Sequence, residues 1–278
     1  MDRVSSVSPS EAAALINHTF QDYTIVINET GTGFVNRCAN NDLDLSRSPL
    51  LYVDGEPAGL ALLGIRGRRG WLGGMGVKRE HRGLGLGRML LEDIAAEARK
   101  AGLETLTLEV IEENTSAIGL YRMAGFQERR ILHCLRRSGI GHGHGSGGAG
   151  GILEDLRPVQ LSDLADIYDS RNCWQKSLAT ISRVEGLEAY ALNCRDAARG
   201  RLHQGYTVLS RRNHKAEVLD AQPSEALPDI LSRFCNDVME TRAVNVHDPG
   251  LVEKYIQEGF TTFLRQKEMV LDMDTTRL

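Results

Sequence analysis

No apolar run in this 278-residue chain approaches the ~20 residues a helix needs to cross a bilayer, so no membrane span is expected. The opening, MDRVSSVSPSEAAALINHTF, lacks the basic-then-apolar layout of a secretory leader. Cysteines are few: five, an odd number without CxxC spacing, which argues against a disulfide framework. Together these features point to the cytoplasm. A basic excess is also missing. Residues 1–137 balance 17 Lys and Arg against 17 Asp and Glu, so the net charge of −4 falls on the remainder. Neither part has the surplus of a nucleic-acid binder, although a local basic site for one small anion stays open. What is present is an ordinary soluble composition, 41% hydrophobic and 25% charged. The length suits one large domain or two of common size.

The clearest division is SGIGHGHGSGGAGGI, Ser138 to Ile152. Between Gly139 and Gly151, eight of thirteen positions are glycine and none is charged. Such a stretch cannot bury enough surface to offset its ordering entropy, so 138–151 reads as a flexible linker. His142 and His144 have no Cys, Asp or Glu nearby and make an incomplete metal-ligand set. This leaves a first domain over 1–137 and a second over 152–278.

The first part can be read element by element. SPSE at 8–11 is a helix start, with Ser8 as cap, Pro9 in the first turn and Glu11 closing a capping box. A helix over roughly 10–22 follows. PLLYV (49–53) and AGLALLGI (58–65) read as strands joined through Asp54-Gly55, a tight-turn pair, and RGRRG (66–70) turns the chain into WLGGMGV (71–77). Leu86, Met89, Leu90, Ile94, Ala95 and Ala98 recur at helical spacing, and Gly102 sits where a C-terminal cap belongs. LTLEV (106–110) alternates as a strand, TSAIGLYRMAG is a short helix ending at Gly125, and RRILHCLRR (129–137) is a closing strand. The expected class is α+β: a mixed, mostly antiparallel sheet flanked by helices.

REHRGLGLGRML, 79–90, carries the chemistry. Gly83, Gly85 and Gly87 lie directly before the 86–101 helix, between Arg82 and Arg88. Amides at a helix start have no internal partners and form the positive end of its dipole. A glycine-rich entry lets them converge on a phosphate. Two familiar phosphate loops fail here on spacing. A Walker loop needs a lysine that is not present, and GxGxxG needs glycine where Arg88 stands.

VKREHRGLGLGRMLL (77–91) resembles the acyl-CoA pyrophosphate loop of the GNAT acetyltransferases, [QR]xxGx[GA], with Arg82, Gly85 and Gly87 in its fixed positions. LEVIEENTSAIGLYRMAGF (108–126) resembles the family's second signature, in the form it takes among ribosomal-protein N-terminal acetyltransferases. The resemblance implies a role for each matched residue. Backbone amides of Arg82, Gly83, Leu84, Gly85, Leu86, Gly87 and Arg88 would bind the pyrophosphate of acetyl-CoA. The strand edge through Met75 and Val77 would pair with the pantetheine arm, with a bulge at Gly73-Gly74, and the Val77 region would offer an N–H to the thioester carbonyl. Asn114 would hydrogen-bond the pantetheine and could also cap its helix. Tyr121 would protonate or stabilise the leaving thiolate, and Glu109 would draw a proton from the amine through water. Glu112 and Glu113 stand beside Glu109 as alternative bases. No metal is implied.

The second part resembles a GNAT chain as well. GILEDLRPVQLSDLADIYDS (151–170) is similar to a GNAT opening, and VHDPGLVEKYIQEGFTTFLRQKEMVLDM (246–273) resembles 112–137, placing Tyr255 on Tyr121 and Asp248 on Asn114. After the strand KAEVLDA (215–221), however, the chain reads QPSEALPDI. Pro223 and Pro228 remove two N–H donors, and Glu225 sets a negative charge where a phosphate would sit. The expectation is two tandem GNAT-like domains, the second without a pyrophosphate loop. It could close over the first site, shape the acceptor pocket or form a homodimer contact. Trp174 reads as a core residue, with a place in the wall of such a pocket as the alternative.

Two functions fit these residues: an N-acetyltransferase using acetyl-CoA as co-substrate by direct attack in a ternary complex, or a non-catalytic acyl-CoA sensor. Tyr121 together with Glu109 favours the enzyme, since a sensor needs neither. The acceptor, a small amine or a protein N-terminus, is not legible.

Overall fold

Glu11 N–H donates to Ser8 Oγ at 3.2 Å and Ser8 N–H to Glu11 Oε2 at 2.8 Å, so the capping box forms as read and starts the first helix at Pro9. In this computed structural model the described residues are 1–139, 152–166, 168, 172–195 and 202–274. The expected linker, with His142 and His144, lies outside them except for Ser138 and Gly139. In chain order the strands are β1 (Asp2–Arg3), β2 (Pro49–Val53), β3 (Glu56–Arg66), β4 (Arg69–Val77), β5 (Thr105–Ile111) and β6 (Gln127–Ser138). They continue with β7 (Leu153–Pro158), β8 (Leu187–Arg195), β9 (Leu202–Arg212), β10 (Lys215–Gln222), β11 (Glu240–Val246) and β12 (Thr261–Asp272). The helices are α1 (Pro9–Thr19), α2 (Gly31–Asn41), α3 (Leu86–Lys100), α4 (Thr115–Met123), α5 (Leu178–Ile181), α6 (Leu227–Phe234) and α7 (Pro249–Gln257).

The chain forms two units. The first is Met1–Arg130 with the chain from Lys267, and the second is made by the described residues between Ile131 and Gln266. In the first unit β1-β2-β3-β4 run antiparallel and β4 meets β5 in parallel. The end of β12 and the start of β6 follow β5 in sheet order. Both faces of β3 are covered, because its residues alternate between two layers. Leu60 and Leu62 pack with Ile16 of α1 and Phe34 of α2, while Ala61 and Leu63 pack with Leu90 and Ile94 of α3.

The units part from the expected division at two strands. Residues 131–137 belong to the second unit, where β6 pairs antiparallel with β11 from His133 to Ser138. Residues from 267 belong to the first, where Met269 and Leu271, both 0% exposed, join the core around Leu106, Leu108 and Val110. The reason lies in burial. Leu135 is fully buried among the apolar residues of β9, β10 and α6, so the chain follows its apolar face across.

In the second unit β11 and β10 pair in parallel, and β10, β9, β8 and β7 continue antiparallel. α7 is capped by Asp248, which accepts from Leu251 N–H at 2.7 Å, and Tyr255 is buried against Phe260. Trp174 is buried, consistent with a core role. A short 3-10 turn over Ser224–Ala226 stands between β10 and α6, where the first unit has its glycine loop.

Candidate active site

The sheet of the first unit is opened at its centre by two features of β4. Opposite β3, Leu62 faces Gly74 and Leu63 faces Leu72, so Gly73 is the extra residue of a β-bulge. On its other side β4 pairs with β5 only from Arg69 to Trp71, facing Thr105 to Thr107. Beyond Trp71 that ladder ends. The bulge carbonyl of Gly73 accepts from Arg37 Nη2 of α2 at 2.5 Å, and Arg37 lies 3.5 Å from Glu29. Met75 is half-buried and Val77 buried on this segment.

The glycine loop stands at the end of β4. Gly83 and Gly85 both adopt φ +80, a conformation that a side chain disfavours, and a Cβ at either would meet open space. At Gly87 a Cβ would only touch Leu120, at 3.5 Å. The ladder of α3 begins with Met89 N–H on Gly85 O at 3.1 Å, so the amides of Gly85, Leu86, Gly87 and Arg88 lie ahead of it. The positive end of a fifteen-residue helix adds to their pull on an anion. The residues present therefore fit a diphosphate. Leu84 is 67% exposed and Arg88 is exposed, its Nε 2.7 Å from Glu92.

Arg82 departs from its expected part. Its amide donates to Arg79 O at 3.2 Å, closing a turn, and so is not presented with the others. Its guanidinium instead ties the loop down. It donates to Val77 O at 3.0 Å, Thr19 O at 2.8 Å and Asp22 at 2.6 and 2.9 Å. This side chain joins the end of α1, the end of β4 and the loop.

Glu109 lies on β5 and Tyr121 on α4. Trp71 Nε1 donates to Glu109 Oε2 at 2.7 Å, while Glu109 Oε1 is shielded and bonds to no described group. Burial raises this carboxyl to about 7, opposed by the Trp71 hydrogen bond, with Glu268 nearby adding to the rise and Arg130 opposing it. A carboxyl poised there is suited to accept a proton at neutral pH. Glu112 is half-buried and Glu113 exposed. Tyr121 is buried, its ring 5.7 Å from Phe126. Burial pushes its phenol far above the ordinary value, with Tyr23 adding to the effect, so it holds its proton throughout the neutral range. Asn114 caps α4 by accepting from Ala117 N–H at 3.1 Å, and its side chain also meets the Tyr23 hydroxyl. Among the described residues, no three His, Cys, Asp or Glu side chains gather as metal ligands would.

Several residues of this region carry no mark in the sequence. Tyr23 comes from the irregular stretch after α1, where no periodicity operates, yet it sits beside Asn114 and influences Tyr121. Asp22 reaches Arg82 from 60 positions away. Trp71 reads as an apolar strand residue, and only the fold turns its indole toward Glu109.

Comparison with known proteins accords with this geometry. Residues 14–126 match the acetyltransferase (GNAT) family. It is 32% identical over 103 residues to bovine thialysine N-epsilon-acetyltransferase, covering 32% of this chain and 61% of that protein. It is 37% identical over 81 residues to the ribosomal protein bS18-alanine N-acetyltransferase of Escherichia coli K12, covering 29% and 55%. The chain thus spans a little over half the length of these curated relatives. Over 96% of its length it has the fold of a tandem GNAT protein from the clavulanic acid biosynthesis pathway, with TM-score 0.60, 15% identity and 96% of that chain covered. A GCN5-related N-acetyltransferase from Sphaerobacter thermophilus gives TM-score 0.65 at 14% identity, covering 96% of this chain and 93% of that one. The fold is a mostly antiparallel tandem GNAT architecture, and the second copy lacks the glycine loop.

Proposed function

We propose that the protein is an acetyl-CoA-dependent N-acetyltransferase that moves an acetyl group to an amine by direct attack in a ternary complex. What supports the reading is that one unit holds an anion-ready loop, the buried carboxyl of Glu109 and the buried phenol of Tyr121. The amides ahead of α3 stand at the end of a splayed strand whose neighbour bears Glu109. Acetyl-CoA supplies an acetyl group activated as a thioester. The amides of Gly83 to Arg88 hold its diphosphate, and the β4 edge through Met75 and Val77 takes the pantetheine arm. Asn114 contributes a polar contact there. Glu109 receives a proton from the ammonium of the acceptor, by way of water, as the amine becomes a nucleophile. Tyr121 keeps its proton near neutral pH and gives it to, or hydrogen-bonds, the departing thiolate.

We assign the second unit no CoA. Its strand β10 also carries a bulge, at Leu219 between Val218 and Asp220, and pairs with β11 only from Lys215 to Glu217. Asp220 follows that bulge as Gly74 follows Gly73. Its Oδ1 accepts from Ala221 N–H at 3.0 Å, while Oδ2 accepts from Tyr206 Oη at 2.9 Å and Asn172 Nδ2 at 2.8 Å. An amide that could meet a thioester is thereby covered by a buried carboxylate, close to the buried Lys176.

Calorimetric titration with acetyl-CoA and an amine panel read by free-thiol release test the proposal. Tyr121→Phe should lower kcat on the order of 10²- to 10⁴-fold with acetyl-CoA affinity nearly intact. Absence of saturable binding by the full chain would end the reading, and unchanged turnover in Tyr121→Phe would remove Tyr121 from its role.

A further inference from the structure

We propose that Glu268, carried on the last strand of the chain and clasped by Arg130, is a positioning residue that governs when Glu109 holds its proton. The inference rests on the acetyltransferase reading above and adds to it a role for the end of the chain. In sheet order β12 lies between β5, which bears Glu109, and β6, which bears Arg130. Glu268 is 2% exposed, and Arg130 grips both its oxygens, Nε to Oε2 at 2.6 Å and Nη2 to Oε1 at 3.2 Å. Arg129 stands 3.8 Å from the same carboxylate. Two carboxyl groups thus sit on neighbouring strands of one unit with unequal company. Glu268 has two arginines, and Glu109 has one indole N–H and an oxygen that bonds to no described group.

Besides its own backbone amide on β5, the groups acting on Glu109 are Trp71 on β4, Glu268 on β12 and Arg130 on β6. A like charge disfavours ionisation of Glu109 and a cation favours it. Burial is the main cause that keeps the proton on Glu109; Glu268 adds to it, and Arg130 works against it. Because Arg130 spends its forked donors on Glu268, its charge is shared rather than given to Glu109. A first unit without residues 267 onward would keep Glu109 but lose this control, since the carboxylate arrives only after the chain has passed through the second unit.

The full chain carrying Glu268→Gln tests the idea, since Gln keeps the shape and one acceptor for Arg130. The acid limb of its kcat/KM profile should move to lower pH by about half a unit or more, a roughly threefold gain at pH 6. Arg130→Gln should move the limb to higher pH, and Arg130→Lys, which keeps the charge, should restore it. Carbon-13 labelled glutamate provides a readout free of turnover. The Glu109 carboxyl resonance, assigned by its loss in Glu109→Gln, should titrate lower in Glu268→Gln than in the wild type. If the wild type shows no transfer, the acetyltransferase reading fails while the resonance still reports the coupling. If Glu268→Gln is folded and both the limb and the resonance stay put, Glu268 is a structural residue only. Should that variant fail to fold, equal profiles in Arg130→Gln and Arg130→Lys overturn the proposal equally well.

Discussion

Trp71 anchors one oxygen of Glu109 with a 2.7 Å hydrogen bond and leaves the other, shielded from solvent, without a described partner. Burial raises the proton affinity of this carboxyl, and the single indole hydrogen bond offsets that only in part. Orientation and basicity come from the same arrangement. The indole fixes where the carboxylate points, and burial keeps it hungry for a proton.

The consequence is a dependence on pH in both activity and stability. A base raised to about 7 makes kcat/KM climb as pH passes through that value, and Glu109→Gln should remove the limb while lowering the rate on the order of 10²-fold or more. For stability the order is the reverse of a salt-bridged carboxylate. The folded chain binds this proton more tightly than the unfolded chain does, so its contribution is full below pH 4.5 and is lost as pH rises through about 7. Between pH 4.5 and 7.5 the wild type should therefore lose roughly 3 kcal/mol relative to Glu109→Gln, as judged by urea unfolding at several pH values. A constant difference between the two proteins across that range would show that Glu109 titrates normally.

Much of this site could be read before folding because its signals are local. The positive φ of Gly83 and Gly85 and the cap at Asn114 are short-range features, and Tyr121 lies on the short helix expected from TSAIGLYRMAG. The strands β2 to β5 and helix α3 were legible from periodicity. Helix α2 was not, because GTGFVNRCANN opens with two glycines and buries Phe34 as its only fully buried residue. The course of the terminal strands was illegible for another reason. RRILHCLRR and RQKEMVLDM both alternate, and alternation says that a strand has a buried face without saying which core receives it. Glu268 was hidden with them.

Arg82 offers a second prediction, since its guanidinium is a tether rather than a phosphate ligand. Its ion pair with Asp22 is substantially solvent-exposed, so its loss should cost stability only about 0 to 1 kcal/mol. The three segments it ties, however, border the loop proposed to hold the diphosphate. Arg82→Met and Asp22→Asn should each weaken acetyl-CoA binding several-fold with kcat little changed, as read by calorimetry and initial rates. Asp22→Asn discriminates best, because Asp22 itself has no positive charge to offer a diphosphate. Tighter binding in that variant would mean that freeing Arg82 lets it reach the phosphates, and the tether would then be the wrong account.

The last strand should matter as much to the first unit as any of its own. Leu271 and Met269 are fully buried with Leu106, Leu108 and Val110, so truncating either leaves a cavity in the core beneath β5. Leu271→Ala should cost about 2–5 kcal/mol. Because stability is distributed locally, the loss should be read in hydrogen exchange of β5 and α3 amides before it reaches β8 and β9 of the second unit. A chain ending at residue 138 lacks these side chains and leaves β5 with β4 as a partner only over its first three residues. That fragment should remain unfolded or aggregate through the exposed edge of β5. A folded fragment 1–138 with native exchange protection on β5 would mean that β6 can take the place of β12 beside it. The return of the last strand would then be dispensable for the first unit.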